Sequence, residues 1–141
     1  MAAPELLLRL LSAPGPSGYE AAPAAVWREA ASSFAKVSSD TLGSSVARVP
    51  GTGDGPLLAL LGHIDEIGLV VTHADEHGFL SFITVGGQRA EVLRGQRVEL
   101  LTRDGTVPGV VAKKGVRRRK PEDKDKATQL EDLYIDIGAK D

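Results

Sequence analysis

One stretch constrains the chain more than any other: Pro56 to Val71, PLLALLGHIDEIGLVV. Five apolar residues, Leu57 to Leu61, run up to Gly62. His63, Asp65 and Glu66 then interrupt as the only ionisable side chains, and the apolar run resumes. A short continuous apolar run suits a strand buried on both faces, as in the parallel sheet of an α/β protein. A strand that ends on a histidine with a carboxylate two positions on can present a metal ligand and the group that orients it. If the strand continues, His63 and Asp65 share a face because strand side chains alternate. Glu66 then points the other way, toward solvent or a domain contact. Neutral imidazole binds zinc and cobalt best when a carboxylate fixes its other ring nitrogen. Taken alone, H-x-D is a weak signal and reads more readily as a polar turn that closes a buried strand.

Upstream, Pro4 to Ser12 reads as a short helix with Leu6, Leu7, Leu10 and Leu11 on one buried stripe. APGPSG, residues 13–18, stops it in a tight loop. Ser17 and Glu20 then have the S-x-x-E spacing of a capping box and predict a second helix. Val26, Ala30 and Phe34 fall four apart along that helix, with Pro23 an awkward fit past its first turn. Lys36–Thr41 and Ser45–Val49 read as extended segments joined at Asp40-Thr-Leu-Gly43, and PGTGDGP, residues 50–56, as a surface connection.

After Gly68 the pattern becomes strand and turn. Leu69–Thr72 and Phe79–Val85 flank ADEHG, Arg97–Thr102 and Thr106–Ala112 flank Arg-Asp-Gly, and Leu133–Ile137 is a last strand. Asp-Gly between alternating runs signals a hairpin. Short strands at this spacing predict a small barrel or sandwich. The shift divides the chain into residues 1–67, the start of an α/β domain, and 68–141, a small β domain. Two helices are too few to cover both faces of a buried strand, and the sequence stops directly after one. The expectation is the front part of a longer protein, with both domains incomplete.

Other chemistries find little support. With no cysteine there is neither disulfide nor thiolate metal site. Net charge is -2, which gives no reason to expect nucleic acid or an anionic membrane as partner. The basic run Lys113–Lys120 is followed at once by Glu122, Asp123 and Asp125, and reads as a solvated loop over 113–126. His73 and His77 flank a polar turn and read as solvent-exposed rather than as a metal clip. There is no Walker loop, no G-x-G-x-x-G and no G-x-S-x-G elbow. No apolar run reaches the ~20 residues of a membrane span. LLLRLL near the N-terminus is too short for a signal sequence. The reading is a soluble, cytoplasmic protein.

Several segments together resemble the M42 family of metallo-aminopeptidases, which includes glutamyl and tetrahedral aminopeptidases. They are APGPSGYE (13–20), SDTLGS (39–44), GHIDEIGLVV (62–71), VLRGQRVELLTRDGTVPGVV (92–111) and LEDLYIDIGAKD (130–141). The resemblance implies a zinc-exopeptidase-like α/β catalytic domain interrupted after the H-x-D strand by a β-barrel dimerisation domain. It implies two divalent metal ions, zinc or cobalt, that activate water to release N-terminal residues from peptides. It makes His63 a metal ligand and Asp65 the catalytic-site carboxylate that orients it. It also implies homo-oligomers built through the barrel.

In the family, a bridging aspartate, a glutamate pair, a further carboxylate and a late histidine follow the barrel. None has a counterpart here. A catalytic zinc needs about three protein ligands, so the expectation for this polypeptide alone is no activity and weak or no metal binding, with the two ions not retained. A non-catalytic assembly or regulatory module is the alternative. A glycosidase is discounted, because no matched carboxylate pair is present.

Overall fold

A computed structural model of the chain describes residues 3–113 and 127–139, so most of the charged 113–126 run lies outside the described residues. The chain divides into two compact units, Met1–Glu66 and Ile67–Asp141.

The first unit begins with α1 (Glu5–Ser12) and α2 (Ala21–Ser32). The leucine stripe of α1 is not buried. Leu6, Leu7 and Leu11 are exposed and only Leu10 is partly covered, because α2 is the main element packed against this helix among the described residues. On α2 the buried positions are Pro23, Ala24 and Ala31 rather than the Val26–Ala30–Phe34 line, and Phe34 is exposed. The helix starts at Ala21, so Pro23 falls inside its first turn, where a missing N–H leaves no intrahelical bond unmade. Pro23 also packs on buried Gly15, where a Cβ would come 2.5 Å from the Pro23 ring.

β1 (Lys36–Ser39) and β2 (Ser45–Arg48) form an antiparallel hairpin with Lys36 opposite Arg48 and Ser39 opposite Ser45. Leu57–Leu61 contradicts the expectation of a buried strand. It has no strand partner, and Leu57, Leu58, Leu60 and Leu61 are all at least 81% exposed. Strand structure requires a neighbour to take the backbone N–H and C=O groups, and none lies beside this run among the described residues.

The second unit is an antiparallel sheet ordered β3-β4-β7-β6-β5. Its strands are β3 (Gly68–Ala74), β4 (Phe79–Val85), β5 (Arg97–Thr102), β6 (Gly105–Lys113) and β7 (Leu133–Asp136). A helical turn, α3 (Ala90–Leu93), was not foreseen in the sequence; it buries Ala90 and Leu93. Alternating residues from the strands meet these two in one core. Leu80, Val111, Leu133 and Ile135 are buried there, with Leu69, Phe82, Val98 and Leu100 packed against them. Gly109 permits the close approach of β6 to this core, since a Cβ would come 2.8 Å from Ile135 Cγ2 and 3.0 Å from Leu100 Cδ1. Pro108 pairs with Glu99 of β5 but lies past the residues of β6 that pair with β7. Its missing donor therefore sits where a strand tolerates it.

Candidate metal-ligand corner

The site is assembled by two loops of the first unit. Gly15, Pro16 and Ser17 run parallel to Asp65 and Glu66, with a bridge between Pro16 and Glu66. The Glu66 N–H donates to Gly15 O at 2.9 Å, and the Ser17 N–H donates to Glu66 O at 3.3 Å. The Glu66 side chain turns back, and its Oε1 accepts the Gly15 N–H at 2.9 Å. Glu66 is exposed, as its alternation suggested, and it also fastens the 13–18 loop.

Ser17 does not form the capping box that S-x-x-E suggests. Its hydroxyl donates to Asp65 Oδ2 at 2.5 Å, while Glu20 accepts the Gly18 N–H and α2 begins without a side-chain cap. The other Asp65 oxygen, Oδ1, lies 3.0 Å from His63 Nδ1, and the Asp65 carbonyl lies 3.1 Å from the same nitrogen. An ionised carboxylate and a backbone carbonyl only accept hydrogen bonds. Nδ1 therefore carries a proton, and in the neutral ring Nε2 keeps its lone pair. That is the tautomer in which a histidine ligates through Nε2.

The ring itself projects into solvent: the His63 side chain is 86% exposed, against 38% for Asp65. The Ser17 hydroxyl first, and then the His63 ring, hold the Asp65 carboxyl below the ordinary carboxylate range, against a smaller opposing effect of partial burial. The acceptor thus stays ionised through neutral pH, as the His63 tautomer requires.

The pair suits one ligand position and no more. Among the described residues no group of three or more His, Asp or Glu side chains could hold a metal ion. His73, on β3, and His77, in the turn after it, are exposed. His77 lies 3.7 Å from Glu76. No helix among the described residues is long and apolar enough to cross a membrane.

Comparison with known proteins gives the family. Residues 43–141 match the M42 glutamyl aminopeptidase family. The chain belongs to that family. It is 31% identical over 144 aligned positions to the lysyl aminopeptidase of Pyrococcus furiosus, an alignment that covers 96% of this chain and 39% of that one. A TET aminopeptidase from a marine-sediment Thaumarchaeota archaeon superimposes with a TM-score of 0.90 at 38% identity, over 96% of this chain and 38% of that one. A TET peptidase of Pyrococcus horikoshii, described as able to assemble into a tetrahedron or a large octahedral shell, gives 0.79 at 31% identity, over 96% and 40%. This chain therefore spans well under half the length of each of these relatives.

Of the residues that build the corner, His63 and Asp65 stood out in the sequence and Ser17 did not. Its one signal, the S-x-x-E spacing, pointed to a helix cap.

Proposed function

We propose that the chain supplies one corner of a metal-dependent aminopeptidase site. In this reading His63 is a ligand through Nε2, Asp65 holds the ring, and the remaining ligands come from protein that these residues do not include. The observation that carries the reading is the double contact of His63 Nδ1 with Asp65, which in the neutral ring leaves the Nε2 lone pair free on an exposed side chain. Bound divalent ions, zinc or cobalt, would supply Lewis acidity at the scissile carbonyl and an activated water. The chain's own residues orient a ligand and keep its second nitrogen protonated.

Membership of an aminopeptidase family supports peptides as substrates, cut at their N-terminus. The second unit is the proposed β-barrel dimerisation domain, and the 67/68 boundary falls beside the division between the two units. Val71, Ile83, Leu101 and Val110 are exposed apolar positions on its strands that suit contact between copies of the chain, as the assemblies of the P. horikoshii relative suggest.

Two proteins test the reading on amino-acid p-nitroanilides with zinc or cobalt. Residues 1–141 alone are expected to give no hydrolysis, for want of about two further ligands. A chimera that carries this chain in place of the matching segment of the P. furiosus lysyl aminopeptidase is expected to hydrolyse the substrate. His63→Ala in the chimera should cost at least about a hundredfold, the upper end of what is lost when only a ligand's supporting partner is removed. A folded chimera whose rate is indifferent to His63 would overturn the assignment.

A further inference from the structure

We propose that Ser17 is a positioning residue for His63, acting through Asp65; the role rests on the reading of His63 as a ligand. Asp65 has two oxygens and each has one side-chain partner: Oδ1 faces His63 Nδ1 at 3.0 Å, and Oδ2 accepts from Ser17 Oγ at 2.5 Å. Rotation of the carboxylate about its Cβ–Cγ bond would break both contacts. A carboxylate this open to water would otherwise turn freely, and an exposed imidazole offers little resistance of its own. Ser17 is itself fixed, because its N–H is bonded to Glu66 O and the residue is half-buried. Gly15 locks the same loop through its paired hydrogen bonds with Glu66. The 13–18 loop therefore transmits its position through a hydroxyl, a carboxylate and an imidazole to Nε2, where a metal would bind. A helix-capping serine would have its hydroxyl on the α2 backbone, and here no such bond exists.

The test is the His63 tautomer, read by two-dimensional nitrogen–proton NMR of the metal-free 141-residue chain above the pH at which the ring protonates. Wild type is expected to show protonated Nδ1 and unprotonated Nε2. Ser17→Ala should lower the Nδ1–H to Nε2–H ratio by about threefold, the scale of one modest hydrogen bond. Ser17→Thr, which keeps the hydroxyl, should restore it. Ser17→Cys matches serine in shape but donates weakly and should behave as alanine does, which preserves the comparison if the smaller side chain unfolds the loop. An unchanged ratio in folded Ser17→Ala or Ser17→Cys overturns the proposal, as does a wild-type ring protonated chiefly at Nε2. Because no metal is present, the result separates from that of the ligand assignment. A tautomer that responds to Ser17, beside a chimera indifferent to His63, would sink the metal role and leave the positioning intact.

Discussion

Asp40 and Asp75 close their turns in the same way. Each carboxylate accepts the backbone N–H two and four residues on: Leu42 and Ser44 for the first, His77 and Phe79 for the second. Each turn ends on a glycine at positive φ, Gly43 at 91° and Gly78 at 78°, a conformation that costs any other residue. The Phe79 N–H chiefly holds the Asp75 carboxyl below its ordinary value of 3.8, with smaller help from the His77 N–H and the nearby histidines. A depressed carboxylate pKa contributes stability above the unfolded value and loses it as pH falls through the folded one. The second unit should therefore weaken below about pH 4, and Asp75→Asn should flatten that part of a melting-temperature profile against pH. An equal slope in the variant would contradict the assignment. Gly109→Ala adds a methyl where Ile135 and Leu100 leave no room. It should cost about 1–3 kcal/mol in denaturant unfolding, and a neutral result would mean that β6 can move away. The contact of His63 with Asp65 was legible because residues two apart on an extended segment share a face, whereas their proposed metal role came from the family resemblance. Ser17 was not legible, because its partner lies 48 residues away and a nearer one fitted a local motif.

The strands of the second unit were readable almost to the residue. Phe79–Val85 and Arg97–Thr102 agree at both ends with the sequence pattern, and the others differ by a residue or two. Alternation and turn residues are local signals, and the β3–β4 and β5–β6 hairpins pair across short turns. α3 escaped because four residues give too little periodicity to detect. Leu57–Leu61 failed for the opposite reason. Its pattern is unambiguous, but a doubly buried strand depends on partners that the described residues do not provide. The run is then an apolar surface four leucines long, and such patches bind apolar dyes and one another. Replacing Leu60 and Leu61 with lysine should reduce anilinonaphthalene sulfonate fluorescence and concentration-dependent light scattering of the chain. Unchanged dye binding would mean that the run is covered.

The whole molecule holds two units of different self-sufficiency. Among the described residues, the second has a core of six buried residues drawn from three strands and α3, whereas the first buries only Ala24 and Ala31 among its apolar side chains beyond the Gly15–Pro23 contact. Ile135, 2% exposed at the centre of the larger core, should cost about 2–5 kcal/mol as alanine, read by the strand signal in circular dichroism. If copies associate through the exposed face of the sheet, Ile83→Lys with Val110→Lys should lower the mass found by light scattering, and an unchanged mass would place the contact elsewhere. The central claim is that this chain brings one ligand to a metal site completed by other protein. Metal analysis of the chimera with P. furiosus lysyl aminopeptidase tests it most directly. The account predicts about two zinc or cobalt ions per chain in the parent chimera, fewer in His63→Ala, and no change in His73→Ala or His77→Ala. Full metal content in folded His63→Ala would contradict it.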